Sequence, residues 1–355
     1  MVVSTPAELG DSAFLFKTVF AWMFFLFVLI PGRVFAMEPA NPDSNRTVRA
    51  ILNYLDGLEK RTDKRLVSGQ FTDCGPGDTL PDLQRVYDKA GHWPALAGFD
   101  YVLSHHPLDY KAINRTAIKW WKQGGLVMIS AHVDDPARER GGGLRDKPID
   151  LNLLLMPGDT HVRWMKQMEV LADALQELQQ NGVVVLWRPF HEMNGGWFWW
   201  GASDPEIFHK VWQQEFDYFT NTRKLNNLIW VYSPNHGAKT AAYYAGDHYV
   251  DLVGLDAYTD NVDPAHIHGY DEVAAIHKPF GFTEYGPHGP SNPPGDFDYR
   301  QFVEGVMKYF PRAVFFMSWS WKWGIGLNNY SKEFLENPWI VNRDDLPASL
   351  FAAKP

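Results

Sequence analysis

The sequence predicts an α/β protein that folds as a single (β/α)8 TIM barrel. Three observations lead to this fold: the 355 residues suit one large domain, short apolar runs alternate with longer amphipathic segments, and no Gly-rich phosphate loop follows the first apolar run. Near-continuous runs of Val, Ile, Leu and Phe are typical of parallel strands that are buried on both faces. The missing Gly-rich loop disfavours the alternative, a doubly wound open sheet.

Eight apolar runs are the predicted barrel strands, and each ends in polar or aromatic residues. In chain order they are residues 65–72, 93–101, 126–133, 183–192, 227–234, 251–258, 280–285 and 313–321. Active-site residues of such barrels lie at the C-terminal ends of the strands. These ends are therefore where we expect the chemistry of the protein.

The segments between the runs predict helices. In residues 161–180 apolar side chains recur at helical spacing, and Asn181-Gly182 is a typical helix end. Asp204 is the predicted N-cap of the next helix, with Pro205 in its first turn. Two more helices are predicted, at residues 109–123 and 298–310.

Residues 1–36 predict a cleaved secretory signal peptide. An apolar run at 18–30 follows Lys17 and is too short to span a membrane comfortably. Val34 and Ala36 suit the minus-three and minus-one positions of signal peptidase. Cleavage after Ala36 would leave a secreted chain with no membrane segment.

An uncleaved anchor is the alternative, because Glu8 and Asp11 offset the single lysine before the run. Either topology places the rest of the chain outside the cytoplasm. Residues 37–46, rich in Pro and Asn, predict a poorly ordered linker, and 47–355 predict the barrel domain. A monomer is the expected state.

The composition narrows the class of partner. A formal net charge of −9 argues against nucleic acid, which requires basic surfaces. Aromatic residues make up 15% of the chain, with 15 Trp, and exposed tryptophans offer flat apolar faces that suit sugar rings. The single cysteine, Cys74, excludes an intramolecular disulfide.

Polar and aromatic residues at the predicted strand ends are the candidates for a site. They are Asp100, Tyr101, His132, Arg188, His191, Glu192, Asp256, Tyr258, Glu284, Tyr285, Trp319 and Trp321. Glu192 and Glu284 end the fourth and seventh runs in apolar and aromatic settings. Glutamates at these two strands can reach toward each other across the mouth of an eight-stranded barrel.

Two such carboxyl groups are what hydrolysis of a glycosidic bond requires. One must hold a proton near neutral pH to protonate the leaving oxygen, and the other must stay ionised to attack the anomeric carbon. Retention of configuration needs a gap of roughly 5–5.5 Å between the two groups. Three tryptophans directly after Glu192 (Trp197, Trp199 and Trp200) favour at least one sugar platform.

Metal and serine chemistry lack their usual patterns. The segment that begins His191-Glu192 has no second His at zincin spacing, and neither His266/His268 nor His105/His106 comes with matching carboxylates. No Gly-x-Ser-x-Gly elbow is present. We therefore predict no metal and no cofactor.

The run WRPFHEMNGGWFWWG at residues 187–201 resembles glycoside hydrolase family 26, and the similarity extends over the whole chain after residue 36. Further similar segments are VSGQ at 67–70, PALAGFDY at 94–101, SAH at 130–132 and GLDAY at 254–258. The resemblance implies a retaining endo-β-1,4-mannanase of (β/α)8 fold that acts on mannan, galactomannan or glucomannan.

The resemblance also implies roles for individual residues. Glu192 is similar to the family's acid/base, and Glu284 to its nucleophile. His191 would contact the sugar next to the cleaved bond, and His132 a hydroxyl on the same side. Tyr258 would hydrogen-bond the nucleophile.

Three more residues complete the predicted substrate site. Trp319 would be the platform under the sugar at the cleavage point, although Trp321 and Trp323 follow it closely. Trp197 would line the site beside Glu192, and Arg188 is predicted to bind substrate.

Other substrates and another function remain open at this point. The family also contains enzymes that act on mixed-linkage β-1,3-1,4-glucan and on β-1,3-xylan. A barrel that binds polysaccharide without cutting it is a second alternative, which the presence of both carboxylates disfavours.

Overall fold

The computed structural model describes residues 37–73, 78–102, 110–291 and 294–351. The predicted signal peptide, Cys74 and the pair His105-His106 lie outside these residues, so the inferences about them stay predictions. Within the described part of the chain, no helix is both long enough and apolar enough to span a membrane.

Eight parallel strands close into a barrel, as predicted. The first is interrupted at Ser68, which divides it into β1 (Leu66–Val67) and β2 (Gly69–Phe71). The others are β3 (Leu96–Val102), β4 (Leu126–His132), β5 (Val185–Arg188), β6 (Leu228–Tyr232), β7 (Leu252–Tyr258), β8 (Phe280–Gly286) and β9 (Ala313–Ser318). The barrel closes because β9 pairs with β8 on one side and with β1 and β2 on the other. A short strand, β10 (Ile340–Val341), pairs with β1 outside the ring.

Burial explains why these runs are almost continuously apolar. Every residue of β4, β6 and β9 is buried, since side chains that point inward fill the barrel and those that point outward meet the helices. The parallel arrangement also places the C-terminal ends of all these strands at one face of the barrel. The residues that follow these C-terminal ends therefore converge on one another.

Helices surround the barrel, including those predicted from the sequence. They are α1 (Arg46–Leu58), α2 (Pro81–Ala90), α3 (Tyr110–Lys122), α4 (Asn152–Leu155), α5 (Asp159–Gln180), α6 (Pro205–Asp217), α7 (Tyr270–Ala274), α8 (Tyr299–Tyr309) and α9 (Ser331–Leu335). Asp204 caps α6 as predicted, because its carboxylate accepts hydrogen bonds from the amides of Glu206 and Ile207.

The segment predicted as a poorly ordered linker is instead fixed to the barrel domain. The amide of Ala40 donates to the buried carboxylate of Asp251 at 2.6 Å, and the amide of Asn45 donates to the carbonyl of Asn226 at 2.8 Å. Asn45 then caps α1. The side-chain amide of Asn41 adds hydrogen bonds to the Leu225 carbonyl at 3.3 Å and to Asn226 Oδ1 at 3.1 Å, so the compact unit begins at Met37.

Candidate active site

A cavity of about 540 Å³ opens at the C-terminal ends of the barrel strands. Seven of the predicted site residues line it: His132, His191, Glu192, Trp197, Tyr258, Glu284 and Trp319. Trp323, an alternative to Trp319 as the platform, also lines it, and five further lining residues were not predicted: Arg145, Phe198, Asn235, His236 and Pro290. The structure thus brings together side chains from distant parts of the sequence, as the strand-end argument predicts.

Glu192 lies in a turn, whereas the sequence placed it at the end of a strand. Strand β5 ends at Arg188, and the chain then turns through Phe190 and Glu192, whose φ angles are 46° and 55°. Positive φ is costly for residues with a Cβ and recurs at functional sites. The amide of Glu192 donates to the carbonyl of Ser233 at 2.7 Å, which ties this turn to the end of β6.

The carboxyl group of Glu192 has surroundings that suit a proton donor. It is 9% exposed, and the Trp197 indole Nε1 donates to its Oε2 at 2.5 Å. Burial raises the pKa of Glu192 well above its ordinary value, and the charges of Asp256 and Glu284 add to this. The Trp197 bond acts in the opposite direction because it stabilises the ionised form.

Glu284 lies within β8 and accepts two strong hydrogen bonds. The Tyr258 hydroxyl donates to its Oε2 at 2.6 Å, and the Arg188 guanidinium donates to its Oε1. Burial, together with the charge of Glu284, raises the pKa of Tyr258 well above its ordinary value, so this hydroxyl keeps its proton. A carboxylate held by a cation and a hydroxyl is favoured in its ionised form.

Arg188, which the sequence predicted to bind substrate, does not line the cavity. Its side chain is fully buried, and it donates to Asp256 at 2.9 Å, to Ser130 at 2.9 Å and to Ser233 at 3.0 Å, besides Glu284. Burial alone would lower the pKa of Arg188, but the carboxylates of Asp256 and Glu284 outweigh it and raise the pKa above the ordinary value. The residue positions Glu284 from beneath the cavity.

Asp256 is a site residue that the sequence reasoning placed at a strand end but gave no role. It is fully buried in β7, and the hydroxyls of Ser233 and Thr283 lie 2.8 and 2.7 Å from its Oδ1. Burial raises its pKa to about 7, against the opposing charge of Arg188. The signal available in the sequence was its position two residues before Tyr258 in the same apolar run.

The catalytic candidates lie close enough for a single sugar to contact both. One carboxylate oxygen each from Glu192, Asp256 and Glu284 lies within 4.8 Å of the others. A short gap of this kind is typical of retaining glycosidases at roughly 5–5.5 Å, whereas inverting enzymes need roughly 6.5–9.5 Å. The three carboxylates are also the group of possible metal ligands found among the described residues, and the Arg188 guanidinium already supplies a positive charge there.

Two histidines form a connected pair on the wall of the cavity. His132 Nδ1 is hydrogen-bonded to Asp100 Oδ2, and His132 Nε2 lies 3.0 Å from His191 Nε2. Burial lowers the pKa of His191 well below its ordinary value, and the charge of Arg188 lowers it further. The Nδ1 atom of His191 is buried and has no hydrogen-bond partner in the described part of the chain.

The tryptophans divide into packing residues and lining residues. Trp199 and Trp200 are fully buried beneath the turn, so neither is a platform. Trp197, which is 38% exposed, and Trp319 both line the cavity as predicted. Trp323, which the sequence left as an alternative platform, lines it as well.

Comparison with protein families gives a match over most of the chain. Residues 40–345 match the family model described as glycosyl hydrolase family 26. A mannan endo-1,4-beta-mannosidase A and B from Caldalkalibacillus mannanilyticus is 35% identical over 86% of the chain, which spans 63% of that protein. A mannan endo-1,4-beta-mannosidase from Bacillus subtilis is 33% identical over 89% of the chain, which spans 91% of that protein.

Solved structures give the same picture. The Bacillus subtilis mannanase BCman superposes with a TM-score of 0.80 at 33% identity, and the match covers 86% of the chain and 95% of that structure. A beta-mannanase from a symbiotic protist of the termite Reticulitermes speratus, complexed with gluco-manno-oligosaccharide, has a TM-score of 0.70 at 26% identity, with 87% and 97% covered. The fold and the family resemblance predicted from the sequence are both confirmed.

Proposed function

The chain belongs to glycosyl hydrolase family 26, and from this premise we propose that it is a retaining endo-β-1,4-mannanase. It hydrolyses internal β-mannosidic bonds of mannan, galactomannan or glucomannan by double displacement. Both relatives named above are mannan endo-1,4-beta-mannosidases, and this supports mannan as the substrate class.

The observation that carries the mechanism is the contrast between two nearby carboxyl groups. The pKa of Glu192 is raised by burial and by neighbouring negative charge, whereas Glu284 accepts hydrogen bonds from a guanidinium and a hydroxyl. One group is thereby suited to hold a proton and the other to carry a charge. Their oxygens lie within 4.8 Å, close enough to act on one anomeric centre.

In the first half-reaction, a Glu284 oxygen attacks the anomeric carbon as Glu192 protonates the departing glycosidic oxygen. The bond between the anomeric carbon and that oxygen breaks, and a covalent glycosyl ester to Glu284 forms. The Tyr258 and Arg188 hydrogen bonds keep Glu284 ionised and oriented before the attack. Trp319 lies under the sugar, and His191 contacts one of its hydroxyls.

In the second half-reaction, Glu192 is ionised and removes a proton from water that enters as the leaving sugar departs. The water oxygen attacks the same anomeric carbon, and Glu284 is released as a carboxylate. Two inversions give net retention. The Trp197 bond to Glu192 stabilises the ionised form that this step requires.

The experiment that tests the proposal is sugar release from four polymers side by side. The purified chain is incubated with linear mannan, glucomannan, mixed-linkage β-glucan and β-1,3-xylan, with Glu284→Ala as the blank. We expect release from the two mannans and none in the variant. Release from the glucan or the xylan alone would reject mannan as the substrate, and no release from any polymer would favour a binding protein.

We also propose that the enzyme acts outside the cytoplasm as a monomer. The apolar run at residues 18–30 and the Val34/Ala36 pattern support secretion. A polymeric substrate that cannot enter a cell supports the same location.

A further inference from the structure

The end of β9 carries three tryptophans at alternate positions, and they differ in their surroundings. Trp319 and Trp323 both line the catalytic cavity. Trp321 is not part of that lining, and half of its surface (50%) is exposed to solvent. An exposed indole beside the cavity offers a flat apolar face to a ligand that extends out of it.

The backbone at Trp321 holds the indole outward at a cost. Its φ angle is 56°, in the left-handed region that favours glycine. The conformation is fixed on both sides, because the amide of Trp321 donates to Asp82 Oδ1 at 3.3 Å and its carbonyl accepts from the amide of Gly324 at 2.9 Å. Strain of this kind at a bulky residue is typical of functional positions.

Ring contacts connect Trp321 to the catalytic centre. Its ring centroid lies 6.1 Å from that of Trp323, whose ring in turn meets Tyr258 edge-on, also at 6.1 Å. Tyr258 donates to Glu284. The Lys322 ammonium lies 4.9 Å from the centroid of the Trp321 ring, over one of its faces. The indole is therefore held in place and continues the wall of the cavity outward.

We propose that Trp321 is a platform for a hexopyranose ring of the same polysaccharide chain, in an outer subsite beyond the catalytic cavity. The assignment rests on the proposed function, because the occupant is the part of the substrate that extends out of the cavity. The apolar face of a β-linked pyranose stacks on the face of the indole opposite the Lys322 ammonium.

The position of Trp321 also gives the direction of the chain. Glu192 protonates the oxygen that leaves with the aglycone, so the aglycone sugars lie near the turn after β5. In the ring of eight strands, β9 lies directly across from β5. The Trp321 platform therefore holds a sugar on the glycone side, toward the non-reducing end.

The test compares Trp321→Ala with the unmodified enzyme on β-1,4-mannohexaose and on mannotriose. Loss of one stacking contact should lower kcat/KM for mannohexaose about tenfold, while mannotriose, which fits within the cavity, changes by less than about twofold. Trp321→Phe keeps a ring at the same place and should recover most of the loss.

The pattern of cleaved bonds provides a readout that a structural defect would not move. Mannohexaose labelled with ¹⁸O at the reducing end is digested, and mass spectrometry reports which bond was cut. In Trp321→Ala, cleavage should shift toward the non-reducing end, because binding modes with many glycone sugars lose their outer contact.

Tyr330→Ala is the matched control. Tyr330 is also a large aromatic residue with a φ of 56°, it is 44% exposed, and the Arg300 guanidinium covers its ring, yet it does not line the cavity. This variant should leave both kcat/KM values and the cleavage pattern unchanged.

Two results would overturn the platform: equal losses on the short and long substrates, or an unchanged cleavage pattern in Trp321→Ala. An unmodified enzyme that cuts no manno-oligosaccharide would instead reject the proposed substrate. The same comparison would then be made with oligosaccharides of whichever polymer the enzyme does cleave, and it would still decide the platform.

Discussion

The surroundings of Glu192 and Glu284 differ although one carboxylate oxygen of each lies within 4.8 Å of the other. Glu192 lies in a strained turn, and among the described residues its carboxyl group accepts one hydrogen bond, from the neutral indole of Trp197, which is itself 38% exposed. Glu284 lies in a fully buried strand and accepts from a guanidinium and a phenol. Two residues of the same type thus have different hydrogen-bond partners, and burial together with nearby negative charge raises the pKa of Glu192.

The two carboxyl groups also differ in how firmly the protein holds them. The nucleophile is held by Arg188, which is bonded at the same time to Asp256 and to hydroxyls from β4 and from the end of β6. The acid/base must exchange protons with substrate and water, and a turn at the cavity mouth gives it that access. This comparison leads to three expectations, which follow from the largest effect to the smallest.

Replacing the two glutamates one at a time should separate their roles. Glu284→Gln should lower kcat on mannan and on an activated aryl mannoside alike, by at least about 10⁴-fold, because no covalent intermediate forms. Glu192→Gln should lower kcat on mannan by about 10²–10⁴-fold. It should leave the first half-reaction with the aryl mannoside nearly unchanged, because that leaving group needs little protonation. Initial rates of the two variants on both substrates measure this.

Glu215→Gln is the control for a buried glutamate without a catalytic role. Burial raises the pKa of Glu215 to about 8, and the Trp187 indole donates to it at 2.9 Å outside the cavity. This variant should keep normal rates on both substrates. Equal losses of Glu192→Gln on mannan and on the aryl mannoside would contradict the assigned roles.

Removing the guanidinium beneath Glu284 should affect both stability and rate. Arg188→Met leaves Asp256 and Glu284 buried without their cation, which should cost about 3–5 kcal/mol of unfolding free energy. Activity should fall by at least about 10²-fold, because the ionised nucleophile loses a charged partner. Urea unfolding and initial rates measure the two effects.

Arg300→Met is the control that removes an arginine charge at the protein surface. Arg300 pairs with Asp298 at the protein surface, where ion pairs contribute little, so the unfolding free energy should stay near that of the unmodified enzyme. A similar, small effect of both substitutions would mean that the buried network does not hold the nucleophile.

The sequence predicted the barrel and seven of the residues that line its cavity, but not the network beneath it. Strand positions follow from local apolar runs, and strand-end residues must converge in a parallel barrel. Arg188 meets Ser130, Asp256 and Glu284 from separate strands, with 58 to 96 residues between partners. A local sequence pattern does not show contacts between residues so far apart in the chain. Arg188 was therefore predicted to bind substrate.

The turn before Glu192 was missed for a related reason. Pro189 and Phe190 continue the apolar run of β5, and apolar content does not reveal that the φ of Phe190 is 46°. For the Met37–Asn45 segment the difference has the opposite sign, because the sequence predicted less order than the structure shows. Its Asn and Pro residues are typical of a linker, whereas the hydrogen bonds that dock it depend on a barrel surface that only the folded chain presents.

The smallest of the three effects concerns the Trp197 bond and the pH dependence of the rate. Trp197→Phe removes the donor that stabilises ionised Glu192, so the pKa of Glu192 should rise further. The acid/base must be protonated for the first half-reaction, so the alkaline limb of the pH profile of kcat/KM should move to higher pH. The acid limb reports the nucleophile and should stay where it is. Trp199→Phe removes an indole donor that serves only the Val133 carbonyl, so its alkaline limb should not move. A shift of the alkaline limb to lower pH in Trp197→Phe, or an equal shift of both limbs, would mean that Trp197 does not act through the acid/base, and the contrast between the two glutamates would then rest on burial and charge alone.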